Sequence, residues 1–269
     1  MKNKVVLITG AGGFVGTHLL KALCSTNKVV ALDTNENRLR TLQDEYQCSV
    51  EVGAIEDNVF VNYVFAKYRP DVVIHCAARK HVLSGEQNPL ETINVNISGT
   101  LNVFTAANEY KCEACILVST DKADKPINVY GETKAVCERL AQSFAKMSSC
   151  KYLTIRFCNI YGSSGSVVEI FRDRIKNKKP LKITSSAKRY FITVDKVVEC
   201  ILKLYAQGTS GSIYMTNEYV ELDIEDIAKE IALELDVDFN SLDITYTKCS
   251  EYEKLQEDYS TTSGIKVLD

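Results

Sequence analysis

Short apolar runs recur along the chain, each closed by glycine or a polar cluster and followed by a longer stretch with helical spacing. Residues 4–9 form an unbroken apolar strand of the kind buried on both faces in the middle of a parallel sheet. A helix follows to about Ser25, and residues 28–32 give a second strand that ends at Asp33. Asn35 is placed to cap a helix to Tyr46, and residues 49–52 make a third strand. Asp57 caps a helix over 59–68, and residues 71–74 make the fourth strand. Asn88-Pro89-Leu90-Glu91 reads as a helix start, with an Asn cap, proline in the first turn and Glu at the third position. That helix is expected to run to about Tyr110. Strands follow at 114–118 and 151–156, separated by a helix from near Asn128 to about Lys146. Beyond them, Thr193-Val194-Asp195 caps a helix to about Gln207, a strand lies near 212–215, and a helix spans 223–235. Strand–helix alternation of this kind predicts an α/β fold, a Rossmann-type doubly wound parallel sheet with a small C-terminal α/β lobe. The expected division is a dinucleotide-binding domain over 1–157, whose sheet also takes in part of 191–217. Residues 158–190 and 215–269 form the lobe, shortened at its C-terminus, with a polar tail over 251–269 expected to be mobile.

Composition narrows the function classes. The 269 residues are 45% hydrophobic, and the net charge is −3 with lysine and arginine scattered. That excludes a disordered chain and argues against nucleic acid as a partner. The apolar run at 5–8 is too short for a signal peptide, and no stretch is long enough to span a bilayer. The expectation is a cytoplasmic protein with no membrane partner. Of ten cysteines only Cys112 and Cys115 form a C-x-x-C, with no second pair or nearby histidine. No metal site is expected, and cysteine reads as a small core residue of a reducing compartment.

Two patterns carry chemistry. Gly10, Gly13 and Gly16 make G-x-x-G-x-x-G between the first strand and its helix. Such glycines let the backbone turn tightly and approach a pyrophosphate seated on the helix N-terminus, where Phe14 and Val15 open the helix. Asp33, at the end of the second strand, accepts from the adenosine ribose and repels a 2′-phosphate, so the cofactor is NAD(P) with NAD favoured. Arg38 nearby argues the other way. The second pattern follows the strand that ends in Ser119-Thr120. Tyr130 and Lys134 stand one helical turn apart on one face. A lysine there lowers the phenol's pKa and holds the cofactor ribose, and the phenolate takes a proton from a sugar hydroxyl as hydride leaves.

These residues, with Ser119-Thr120-Asp121-Lys122-Ala123, resemble the extended short-chain dehydrogenases/reductases. Within them the chain is most similar to the UDP-N-acetylglucosamine 4,6-dehydratases of the polysaccharide biosynthesis family, roughly over 4–217. The resemblance implies several further roles. His75-Cys76-Ala77-Ala78 matches H-x-A-A, whose small residues Ala77 and Ala78 let the chain pass close to the cofactor. Asn96 matches the asparagine that supports the proton relay, the other reading being a solvent-facing side chain. Ala54 stands where relatives have the aspartate that contacts adenine. Lys80-His81-Val82 matches K-[HQ]-V, with His81 either a substrate contact or an exposed loop residue. Residues 156–167 resemble R-[FY]-G-N-V-x-G-S-x-G-S-V, with Cys158 in place of glycine. Asn159, Ser166 and Val167 are then substrate residues on a Gly/Ser loop suited to a diphosphate. Arg189 of Arg189-Tyr190-Phe191 is a phosphate ligand or a surface arginine. Relatives continue with an R-P-G-E-K segment that closes over the nucleotide, where this chain has 246–250 and the tail.

The implied reaction is loss of water from UDP-N-acetylglucosamine or a similar nucleotide sugar. C4 is oxidised with Tyr130, Lys134 and Thr120. Water leaves across C5–C6, with Lys122 the base and Asp121 the acid in relatives, and C6 is then reduced. The resemblance also implies a homo-oligomer, dimer or larger, joined through the two central helices. A 4-epimerase or reductase would need Thr120, Tyr130 and Lys134 but neither Asp121 nor Lys122. A non-catalytic dinucleotide-binding protein is the third reading.

Overall fold

The computed structural model describes residues 1–254 and 264–268. In chain order its elements are β1 (Val5–Thr9), α1 (Phe14–Leu23), β2 (Lys28–Asp33), α2 (Glu36–Tyr46), β3 (Ser49–Val52), α3 (Asn58–Tyr68) and β4 (Val72–His75). Next come α4 (Val82–Gln87), α5 (Pro89–Ile93), α6 (Gly99–Glu109), β5 (Ala114–Thr120), α7 (Val129–Met147) and β6 (Lys151–Phe157). The remainder are β7 (Asn159–Ile160), α8 (Val167–Lys176), β8 (Leu181–Thr184), β9 (Lys188–Ile192), α9 (Val194–Gln207), β10 (Ile213–Met215), β11 (Val220–Asp223), α10 (Ile224–Glu234), β12 (Ile244–Thr247) and β13 (Ile265–Val267).

The large sheet has eight strands among the described residues, in the order β13-β10-β6-β5-β4-β1-β2-β3, every neighbouring pair parallel. Side chains alternate between its two faces. Val6 and Ile8 of β1 and Ala114 and Ile116 of β5 join one core, with Leu19, Leu20 and Ile201 of α1 and α9. Leu7, Cys115 and Leu117 join the other, with Val64, Phe104 and Ala141 of α3, α6 and α7. Both faces are covered, which is why these strands read as continuous apolar runs rather than alternating ones. Between β1 and β4 the chain order reverses direction across the sheet, and the strands' C-terminal ends open a crevice there.

A smaller unit carries its own core. The sheet β11-β9-β7, the pair β12-β8, and helices α8 and α10 enclose Val168, Phe171, Ile183, Ile227 and Ile231. This is the Rossmann-type architecture with a small lobe. No helix among the described residues is long and apolar enough to cross a membrane.

Local expectations hold at Asn35, which accepts from the Arg38 amide, and at Asp57, which accepts from that of Phe60. Other expectations need correction, and one helix was not foreseen. The stretch after His81 folds as helix α4, a piece too short to show a helical stripe in sequence. The helix expected over 89–110 is interrupted by a π turn at Asn94–Ser98. The Asn88 side chain does not cap α5; it donates to the Ser84 carbonyl. Thr193 precedes α9 without a side-chain cap bond. In the tail, Ile265–Val267 is not part of the lobe but the edge strand β13 of the large sheet, parallel to β10. Of the tail expected to be mobile, 255–263 and 269 lie outside the described residues.

Candidate active site

The glycine-rich turn sits where β1, β2 and β4 end. Gly10 has φ +69°, and a Cβ there would come within 2.7 Å of the Ala77 amide. A Cβ on Gly16 would come within 2.3 Å of the Gly10 carbonyl, so any larger residue would separate helix α1 from the strand. Asp33 fixes the same turn: Oδ2 accepts from the Gly12 amide at 2.9 Å and Oδ1 from the Asn35 amide at 2.9 Å. Phe14 and Val15 open α1, with Gly13 before them in extended conformation. These residues and the close-passing Ala77-Ala78 segment leave a backbone cradle that side chains would fill, and it fits a dinucleotide.

Beneath that cradle runs a buried chain of hydrogen bonds. The Ala77 amide donates to Thr9 Oγ1 at 3.4 Å, and Thr9 Oγ1 lies 2.7 Å from His75 Nδ1. His75 Nε2 lies 2.9 Å from Thr100 Oγ1, which donates to the Asn96 carbonyl. The directions agree if His75 is neutral and protonated at Nε2. Burial does hold it neutral, pushing its pKa down to about 3, with the Lys134 charge adding to the effect. The Cys137 thiol also donates to the Asn96 carbonyl.

Two residues expected at the cofactor, Asn96 and Ser119, are buried with protein partners. Asn96 is 1% exposed, accepts from the Arg79 amide at 2.8 Å, and donates to the Arg79 carbonyl and to Thr133 Oγ1. It is not solvent-facing; it fastens the chain after Ala78 to α7. Ser119 donates to Glu138 Oε1 at 2.6 Å, turned toward a buried ion pair.

The reactive residues converge at the end of β5. Thr120 Oγ1 donates to Asp121 Oδ1 at 2.8 Å, and Lys122 Nζ lies 3.2 Å from the same oxygen. Lys122 also donates to Asn159 Oδ1 at 3.3 Å, while Asn159 Nδ2 donates to the Tyr190 carbonyl. Tyr130 and Lys134 are on α7, which Asn128 caps by accepting from the Gly131 amide at 2.8 Å. The phenol is not lowered as spacing suggested. Burial pushes Tyr130 up to about 12, opposed by the Lys122 charge and the Thr120 hydroxyl. Burial lowers the Lys134 pKa, and nearby Cys137, Glu138 and Cys76 raise it in part.

Asp121, Lys122, Asn159 and Arg189 line one cleft of about 90 Å³. The other expected substrate residues, Lys80, His81, Ser166 and Val167, do not line it. Lys80 donates to the Ser164 carbonyl, and the exposed His81 ring lies over Gly165, where a Cβ would come within 2.6 Å of Cε1. Ser166 caps α8, with Val167 first in that helix, and the Glu169 carboxylate occupies the Gly165 amide. Sequence reasoning missed Tyr252, Glu253 and Lys254, which also line the cleft. The Tyr252 carbonyl accepts from Asn128, Glu253 lies 3.7 Å from Arg189, and Lys254 donates to the Asp124 carbonyl. The signal was present: Glu253-Lys254 keeps the last two letters of the R-P-G-E-K segment sought at 246–250. Among the described residues no cluster of His, Cys, Asp and Glu could hold a metal ion.

Comparison with known proteins places this geometry in a wider set. The family described as "Polysaccharide biosynthesis protein" matches residues 6–266. The probable polysaccharide biosynthesis protein EpsC of Bacillus subtilis is 31% identical over 96% of this chain and 45% of its own length. This chain thus spans about half the length of that relative. An inverting UDP-N-acetylglucosamine 4,6-dehydratase of Campylobacter jejuni is 32% identical over 79% of this chain and 66% of that protein. UDP-glucose 4-epimerases of Rickettsia match at the same level, 31–32% over 79% of the chain and 66% of theirs. Among solved structures, Pen from Bacillus thuringiensis is 27% identical with a TM-score of 0.89, covering 97% of this chain and 83% of that one.

Proposed function

Since the chain belongs to the polysaccharide biosynthesis protein family, we propose that it is a nucleotide-sugar 4,6-dehydratase acting on UDP-N-acetylglucosamine or a closely similar nucleotide hexose. The observation that carries this is the Asp121–Lys122 pair, 3.2 Å apart, in one cleft with Asn159 and Arg189 and beside the Thr120–Tyr130 end of the site. An epimerase has no use for a second acid–base pair.

A nicotinamide dinucleotide, when bound on the Gly10–Gly16 turn with its ribose at Asp33, supplies the acceptor and donor of hydride. Asp33 favours NAD, because its carboxylate repels a 2′-phosphate. Tyr130 takes the proton of the C4 hydroxyl, with Thr120 bonded to the same oxygen and the Lys134 ammonium on the ribose side. The C4 ketone acidifies the C5 proton, and Lys122 and Asp121 exchange protons with C5 and the departing C6 hydroxyl. Arg189 binds the diphosphate by charge-assisted bonds. A homodimer through α5, α6 and α7 is supported by Leu90, Ile93, Leu101 and Val136, all exposed on those helices.

The test is incubation with UDP-N-acetylglucosamine in heavy water, followed by mass spectrometry. Loss of one water with one deuterium gained at C5 is expected. The second reading, a 4-epimerase, is favoured by the Rickettsia relatives and would return an isomer of unchanged mass, told from untouched substrate by proton NMR. An untouched sugar would overturn both readings for this substrate.

A further inference from the structure

Helix α7 carries Tyr130, Lys134 and Glu138 at four-residue intervals, so the three share one stripe. The first two have parts in the reaction above. The third is a carboxylate only 2% exposed. It meets Arg156 of β6 through both oxygens, Nε to Oε1 at 2.8 Å and Nη2 to Oε2 at 2.7 Å. Ser119, next to Thr120, donates to Oε1 at 2.6 Å. The other arm of Arg156 reaches Asp124 Oδ1 at 3.3 Å. Asp124 closes the short turn Asp121–Ala123, its amide donating to the Asp121 carbonyl at 3.0 Å.

One guanidinium therefore joins helix α7, the end of β5 and the turn that bears Asp121 and Lys122. Its own strand leads directly to Asn159, the partner of Lys122. Stability alone does not call for such a pair, since well-packed apolar residues often serve as well as a buried ion pair. What an arginine fork adds is fixed geometry, two parallel bonds in one plane with a third arm at a set angle. Lys134 lies between Tyr130 and Glu138 on this stripe, makes no ion pair among the described residues and feels the Glu138 charge at a distance.

We propose that Glu138 and Arg156, with Asp124, are positioning residues of this reaction centre. They hold α7 and the Asp121–Lys122 turn in register, so that oxidation at C4 and loss of water act on one bound sugar. The proposal rests on the dehydratase reading.

The test compares the intact protein with Asp124→Asn, Glu138→Gln and Arg156→Lys, after checking each by thermal unfolding. Two steps are read separately: single-turnover reduction of the bound cofactor, and steady-state release of the dehydrated sugar. Asp124→Asn leaves the buried pair intact and removes the charge that ties Arg156 to the turn. It is expected to keep cofactor reduction within about threefold and to slow water loss by about tenfold or more, so that reduced cofactor accumulates. Glu138→Gln and Arg156→Lys are expected to lower kcat by about 10–100-fold with KM changed by less than about threefold. If either of these does not fold, Asp124→Asn decides alone. Wild-type partition between the two steps in Asp124→Asn overturns the proposal and leaves the dehydratase reading standing. A wild-type protein that removes water from no nucleotide sugar brings down both.

Discussion

At Tyr130 burial and charge act in opposite directions. Burial pushes the phenol up to about 12, while the Lys122 ammonium and Thr120 favour the phenolate. The phenolate is the form that takes the proton, so cofactor reduction in a single turnover should rise with pH, by up to about tenfold per unit between about pH 6 and 9. Lys122→Met removes an opposing charge and should move that rise to higher pH, and Tyr130→Phe should abolish reduction. A profile flat in pH would count against Tyr130 as the base. His75 gives the converse case, a group held uncharged. It is 0% exposed, and its pKa falls from the ordinary 6.5 to about 3. Below 6.5 the unfolded chain takes a proton that the folded chain refuses, so stability is complete above that value and is lost as pH falls toward 3. The full window amounts to about 5 kcal/mol. Urea unfolding at about pH 7 and pH 4.5 should show this loss, and His75→Gln should flatten it. Tyr130 and Lys134 were legible in sequence because one turn of helix sets their relation. Ser119 was not, since its hydroxyl answers to Glu138, 19 positions away.

Helix α7 shows how an element limits its own substitutions. Alanine is the better helix former by up to about 1 kcal/mol, yet a Cβ on Gly131 would sit 2.2 Å from the Lys122 carbonyl. Gly131→Ala should therefore leave the helix formed, by circular dichroism, while displacing the Asp121–Lys122 turn and lowering kcat by about tenfold or more. Unchanged turnover would show that the turn yields without consequence. The cap at Asn128 serves two elements, accepting from Gly131 and donating to the Tyr252 carbonyl. Asn128→Ala should cost about 1 kcal/mol, a fall in Tm of roughly 2–4 °C by calorimetry. Seven strands of the large sheet were legible to within a residue or two, most of them because burial on both faces makes an uninterrupted apolar run, whereas β13 and the short lobe strands β7, β8, β9, β11 and β12 were not. The π turn at Asn94–Ser98 was not, because the Asn96 side chain and carbonyl find partners in Arg79, Thr133 and Cys137, 17 to 41 positions away.

Across the whole molecule, none of the ten cysteines is in a disulfide, and seven are buried. Among the three partly exposed thiols, burial pushes Cys76 up to about 12, and Cys24 is raised by its contact with Cys48. Alkylation of the native protein should reach Cys249 first, read by mass spectrometry of its peptides. Cys249 donates to the Glu253 carbonyl in the segment that lines the cleft, so a bound nucleotide sugar should slow that labelling. Equal labelling of Cys76 and Cys249 would contradict the packing around β4. The sequence by itself determined the parallel sheet, the glycine turn with Asp33, and the spacing of Tyr130 to Lys134 and of Thr120 to Lys122. Those features depend on local periodicity, backbone sterics and neighbours within a turn. Only the tertiary structure decided which side chains meet: Asn159 with Lys122, Glu138 with Ser119 and Arg156, and Glu253 with Arg189. These pairs lie 18 to 64 positions apart. No local pattern encodes such a contact, because it exists only once the sheet has brought separate strand ends to one edge.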